Sequence, residues 1–436
     1  MTNEPPPEDP DGANPFRGTP FEQFFGGTPD LGQLFSQLQA MMQPYDGPLN
    51  WDVAVDTARK TVAQQPDPTP SQKQRDEVAD AVRLADHWLD ETTQFPSGVT
   101  STAAWSRAEW VVGTTDVWKV LVEPIAASSV GALGNALPAE AASMGGPILA
   151  MLGKAIGAML ASQVGSGVGA LAGEVLTASD IGLPLGAPGK AALVPANVAH
   201  FAAGLDVPES DVLLYLALRE AAHQRLFAGV PWLRDHLIGA VTDYAKGIEI
   251  NTSSIQETIE ERLHGVDPTN PEAMQELMEG GLFDIPRSPQ QESALRRLEI
   301  ALALVEGWVD EVVGQATAER MPSAAKLQEA VRRRRAAGGP AEETFASLVG
   351  LELRPRRLRD ASTLWGSLRT RQGAEARDGV WMSPHLLPTD ADLDDPLGFR
   401  EGSEAPTQLS DSDFDAELRH LLDGGVGGTA DGPSEE

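Results

Sequence analysis

Arg219-Glu220-Ala221-Ala222-His223 is the stretch whose residue types and spacing could do chemistry. On a helix, Glu220 and His223 are three residues apart, and Arg219 and His223 are four apart, so all three neighbour one another. When the first position is a histidine, the two histidines bind zinc and the glutamate serves as general base. Here that position is Arg219, whose guanidinium keeps its proton near neutral pH and cannot ligate a metal. The motif therefore reads as a hydrolytic zinc helix with one ligand exchanged for a fixed positive charge.

The element that carries the motif is predicted over Val212 to Phe227. Pro208-Glu209-Ser210-Asp211 supplies a helix start rich in capping and first-turn acids. Leu213, Leu214, Leu216, Ala217, Leu218, Ala221, Ala222 and Leu226 are apolar almost all round the helix, which predicts burial. Burying Arg219, Glu220 and His223 in it is costly unless they satisfy one another or a ligand. A second long helix is predicted from about Ser293 to Gly314. Val305, Trp308, Val309 and Val312 make it apolar, yet it carries Glu306 and Asp310 four residues apart.

These residues support a resemblance. Leu218-Arg219-Glu220-Ala221-Ala222-His223-Gln224-Arg225-Leu226-Phe227, then Val230-Pro231-Trp232-Leu233, is similar to the actinobacterial zincin-like metallopeptidase type 2 family. So are Val305-Glu306-Gly307-Trp308, Asp378-Gly379-Val380-Trp381 with Leu387-Pro388-Thr389, and the early Asn50-Trp51-Asp52. The resemblance runs from about residue 15 to 395. It implies a mainly α, zincin-like helical domain and zinc-dependent hydrolysis of a peptide or amide. It also implies Glu220 as general base and His223 and Glu306 as zinc ligands. A sister branch keeps both histidines of the motif; this chain departs from it at Arg219.

Three readings of the site stand open. In one, His223, Glu306 and either Asp310 or another histidine still bind zinc, with Glu220 activating water; His200 and His236 are nearest in sequence. In another, Arg219 occupies the metal's place among Glu220, Glu306 and Asp310, bidentate to one carboxylate, leaving a catalytically inactive scaffold or interaction module. In the third, Glu220 and His223 form a metal-free acid–base pair. A satisfied internal His–Glu contact without function is the bland counterpart of all three.

Composition narrows the rest. There is no cysteine among 436 residues, so disulfides, thiolate metal sites and cysteine nucleophiles are excluded, and only seven histidines are available. A net charge of −31 disfavours nucleic acid and anionic membrane as partners. The stretch from Asp390 to the end has 14 acidic and 2 basic residues. Against it stands Arg332-Arg333-Arg334-Arg335, followed by Arg354, Arg356, Arg357 and Arg359. This basic stretch reads as a solvated helix face or as an internal partner for acids. The start of the chain lacks a basic-then-apolar leader, so the expected compartment is the cytoplasm.

The expected organisation is a flexible arm over 1–48, the helical domain over 49–390 and a disordered acidic tail over 391–436. Within the arm, Leu31, Leu34, Phe35 and Leu38 follow helical spacing and read as a short docking helix. Residues 145–176 are long and apolar, but Lys154 and Gln163 interrupt the run. Gly153, Gly157, Gly165, Gly169 and Gly173 recur at multiples of four. This predicts a buried, glycine-lined central helix, not a membrane span. Trp105, Trp110 and Trp118 are expected to pack between helices. Residues 181–195 read as a loop holding at most a short strand or hairpin.

Overall fold

The computed structural model describes residue 45 and residues 47–136, 146–246, 288–336 and 357–400. The amphipathic docking segment expected near Leu31–Leu38 and the apolar turn expected around Phe414–Leu422 lie outside the described residues. So do Arg354 and Arg356.

Four-residue spacing of apolar side chains sets the first two helices. In α1 (Trp51–Val62), Ala54, Ala58 and Val62 form the buried stripe, and the Asn50 side chain caps the first turn by accepting from the Val53 N–H. In α2 (Gln72–Leu89), Ser71 and Gln74 close a capping box, and Val78, Val82, Ala85 and Leu89 are buried. Then follow β1 (Ser101–Ala104), α3 (Arg107–Ala136), α4 (Gly146–Glu174), β2 (Lys190–Leu193) and α5 (Pro195–Ala202). The motif helix is α6 (Glu209–Gly229), trailed by α7 (Pro231–Lys246). The acidic helix is α8 (Pro289–Thr317), followed by α9 (Ala324–Ala336), α10 (Leu358–Gly379) and a short α11 (Asp390–Asp394). The described chain is mainly α-helical, as its periodicity predicts.

β1 and β2 pair in parallel, with Ser101 opposite Lys190 and Ala104 opposite Leu193. The segment before β2 runs back along it: Ala178 N–H donates to the Ala192 carbonyl at 2.9 Å, and Val194 N–H to that of Leu176 at 2.9 Å. The short strand at Ala191–Leu193 fits expectation; its partner at Ser101–Ala104 was hidden, because four small residues carry no alternation of their own.

The glycine stripe of α4 has a direct cause. A side chain at Gly169 would lie 2.6 Å from the Ala58 carbonyl oxygen, and one at Gly165 would overlap that of Ala54, so α4 crosses α1 nearly backbone to backbone. The helix expected to be buried and glycine-lined is buried on its glycine side, while its other side meets solvent. Met159 is 66 % exposed, and Ser162, Gln163, Ser166 and Ala170 also face out. The glycine face needs only one neighbour, and the opposite face is mostly small residues that gain little from burial. No described helix is long and apolar enough to cross a membrane.

α6 is the helix the core closes around: every side chain from Tyr215 to Leu226 is buried. α8 lies against it, and Gly307 lets α10 approach α8, since a side chain there would meet Ala361 Cβ at 2.5 Å and Ser362 N at 2.7 Å. The chain also stays structured past the expected boundary at 390. Thr389 and Asp392 form a capping box at the start of α11, whose Leu393 is buried, as is Phe399 beyond it.

Candidate functional site

α6 and α8 bring Arg219, His223, Glu306 and Asp310 together in the interior; all four are at most 4 % exposed. Glu306 is the hub. Its Oε2 accepts from Arg219 Nη2 at 2.5 Å and meets Arg335 Nη1 at 2.9 Å. Its Oε1 lies 2.8 Å from His223 Nε2. Gly182, at φ +78°, lets the loop backbone close over the same carboxylate; a side chain there would lie 3.0 Å from Oε1. Burial alone would raise the Glu306 pKa, but the charges of Arg335, His223 and Arg219 hold it down at about 2.

Arg219 is not bidentate to one carboxylate, as the sequence suggested. It spans two: Nη2 takes Glu306, while Nη1 stands 3.8 Å from Asp310 Oδ1. Nor does it pair with Glu220. Glu220 points the other way, where its Oε2 accepts from Ser179 N–H at 3.1 Å and its Oε1 from Gln224 Nε2 at 3.0 Å. Burial pushes the Glu220 pKa up, against the opposing pull of His223 and its hydrogen bonds. Asp310 is satisfied separately: its Oδ2 accepts from Arg332 at 2.5 Å, Ser362 Oγ at 2.8 Å and Gln328 at 3.1 Å.

His223 settles into this network through both ring nitrogens. Nδ1 lies 2.8 Å from the Arg219 carbonyl oxygen and Nε2 2.8 Å from the Glu306 carboxylate. Both partners are acceptors, so only a ring that carries two protons makes both bonds at once. With both nitrogens so engaged, His223 is not hydrogen-bonded to Glu220, which removes the geometry of the metal-free acid–base pair. His200 is exposed on α5, and His236 is packed edge-on against the Trp232 ring at 5.5 Å. Neither is placed beside Glu306 by any contact.

The basic run, read from sequence as a solvated face or an internal partner, divides. Arg332, Arg334 and Arg335 point inward to Asp310, Asp180 and Glu306, while Arg333 pairs outside with Glu329. Arg335 also donates to the Asp180 carbonyl, which ties α9 to the loop above Glu220. Arg335, Asp180 and Ser179 were missed as site residues. The available signal was the density of arginines in an otherwise acidic chain, but nothing in sequence says which of four successive arginines faces in.

The zinc that the motif suggests does not fit this arrangement. A metal ligand must present a lone pair, yet both Glu306 oxygens are engaged by Arg219, Arg335 and His223, and the His223 nitrogens both face acceptors. Among the described residues, no group of three or more histidine and acidic side chains is arranged to hold a metal ion.

The Asp378 segment plays a supporting part. Asp378 accepts from Trp308 Nε1 at 2.9 Å and Thr93 Oγ1 at 2.7 Å, and Trp381 stacks on Trp365 at 5.4 Å, so α8, α10 and the end of α2 are fixed together.

With the geometry in place, comparison with known proteins is informative. The family model described as zincin-like metallopeptidase matches residues 49–399. A structure from Chloroflexus aurantiacus, described as a candidate hydrolase with a novel fold, aligns with a TM-score of 0.58 and 19 % identity, over 81 % of this chain and 100 % of that one. At that identity the likeness speaks to fold alone. No curated protein matches the chain.

Proposed function

The chain belongs to the zincin-like metallopeptidase family, and we propose that it is a non-hydrolytic member, in which arginine has taken the role of the metal. Its work would then be binding, with a peptide or protein as the partner class that the fold implies. The observation that carries this reading is the engagement of Glu306 by two guanidinium groups, Arg219 at 2.5 Å and Arg335 at 2.9 Å. Two positive charges on a buried carboxylate supply what a divalent cation would supply, so the carboxylate is stable without one. Glu220 is fully buried, with no exposed face from which to act on a substrate.

The second reading is zinc-dependent hydrolysis. Two features favour it: Glu220, His223 and Glu306 are all retained on facing helices, and the Glu220 pKa is raised in the direction useful for proton transfer. It requires both Arg219 and Arg335 to leave Glu306.

The test compares zinc affinity in the wild type, Arg219→His, and Arg219→His with Arg335→Gln. The proposal expects zinc binding in the double variant, little in the single variant and none in the wild type. Zinc-dependent cleavage of an unstructured protein by the wild type, abolished in Glu220→Gln, would overturn it.

A further inference from the structure

Part of the apolar surround of α6 is not used by the core. Side chains from Tyr215 to Leu226 are buried, but Leu213 and Leu214, just before them, are only half-buried. They line a groove of about 580 Å³ between α2, α5 and the first turns of α6. Val198 and Ala199 line it from α5, and Ala81 and Leu84 from α2. Ala199 is exposed, and Leu84 is 42 % exposed although the buried stripe of α2 runs beside it. Three helices whose core-facing sides are already filled thus leave a joint apolar surface open to water.

The charged residues along the groove are all of one sign. Glu77 and Asp80 on α2 and Glu209 on α6 line it, and no basic side chain does. Two cations on α2 meet these acids from outside the groove: Lys73 is 3.5 Å from Glu77, and Arg83 is 2.9 Å from Asp80. All four side chains are exposed, and ion pairs of that kind hold their acids weakly.

An apolar groove along helices suits the apolar face of an amphipathic helix, with anchors at i, i+3 or i+4 and i+7. Acids beside the groove favour a partner whose lysines or arginines flank those anchors. This chain does not supply such a segment: each stretch outside the described residues carries more acidic than basic side chains. A second copy, at a net charge of −31, is repelled by the same field.

We propose that this groove docks a basic amphipathic helix of another protein. Its apolar side chains would sit between α2, α5 and α6, and its lysines or arginines against Glu77, Asp80 and Glu209. The inference goes beyond the metal-free reading and does not rest on it, since none of these residues belongs to the ion-pair network around Glu306.

The experiment is an anisotropy titration of the full chain against a labelled helical peptide with leucine at i, i+3 and i+7 and lysine elsewhere. Unlabelled competitors are the same peptide with glutamate for lysine, the same peptide with glutamine for leucine, hexylamine, and peptides of residues 31–42, 343–353 and 411–422 of this chain. The proposal expects saturable binding, with every competitor at least tenfold weaker than the parent peptide. Ala199→Arg adds bulk and positive charge at an exposed position and should abolish binding without lowering the Tm. Glu77→Gln with Glu209→Gln should weaken binding roughly fivefold or more, the loss of two exposed charge contacts. Asp116→Asn with Asp235→Asn, which removes the same charge from exposed positions on α3 and α7, should not. If Ala199→Arg lowers the Tm, the two double variants still decide the matter. No saturable binding, equal weakening by the two double variants, or displacement by hexylamine or by either altered peptide would overturn the proposal. Displacement by a peptide of this chain would assign the groove to its own segment, and a dimer lost in Ala199→Arg would assign it to a second copy; either would overturn the proposal too. Zinc content of the same preparation bears on the metal-free reading alone, so the two readings fail separately.

Discussion

At the residue scale, the residue that matters most is Arg219, and its contacts give its removal a measurable cost. Removing one partner of a buried ion pair leaves the other charge uncompensated and costs about 3–5 kcal/mol. Arg219→Ala leaves Glu306 with Arg335 and His223, and Asp310 with Arg332. We therefore expect a loss near the lower end, about 3 kcal/mol by urea unfolding, and a larger loss when Arg335→Ala is added. Glu220 should behave in the opposite sense. Its pKa is raised by burial, so its contribution is greatest when it is protonated and falls as pH rises above the unfolded carboxylate value of about 4.3. Glu220→Gln should thus raise the Tm at pH 7–8, with the gain shrinking towards pH 4. A Tm that falls at every pH would mean the carboxylate is purely structural.

At the element scale, the helices were legible and their pairings less so. Apolar patterning located α6 and α8, the one apolar almost all round and the other through Val305, Trp308, Val309 and Val312, all of them buried. The near-continuous apolar surround of Leu213–Leu226 announced the burial of α6, and with it the burial of Arg219, Glu220 and His223. What sequence does not carry is which way a charged side chain turns once inside. Arg219 spans Glu306 and Asp310, whereas Glu220, its immediate neighbour, faces Ser179. Likewise Arg335 and Arg333 part company within one turn of α9. Such choices depend on the loop at Ser179–Gly182, which has no periodicity to read. The Glu306-Gly307-x-x-Asp310 spacing does have an element-level meaning: Gly307 admits α10, and α10 brings Ser362 to Asp310 at 2.8 Å. Gly307→Ala should therefore destabilise by about 1–3 kcal/mol through overpacking, despite alanine's better helix propensity. Unchanged or increased urea stability would show that α8 and α10 are free to separate.

At the scale of the whole molecule, the interior network makes an acidic protein dependent on pH in one direction. The Glu306 pKa is about 2 in the folded chain, below the unfolded value of about 4.3. A depressed folded value gives stability that is present above pH 4.3 and is lost as pH falls from there towards 2. The acid limb of the pH–stability profile should flatten in that window in Glu306→Gln, measured relative to that variant's own neutral stability. A limb of unchanged steepness would place the acid sensitivity elsewhere among the surface carboxylates. Family membership accounts for the architecture, while arginines on two helices, Arg219 and Arg335, engage the buried Glu306 carboxylate of the site. Function follows the site and not the fold.

The most direct measurement is zinc per chain, by elemental analysis of full-length protein purified without chelator or affinity tag and then offered zinc. The arginine-for-metal account predicts substoichiometric zinc that does not change in His223→Ala. Close to one zinc per chain, lost in His223→Ala, would contradict it.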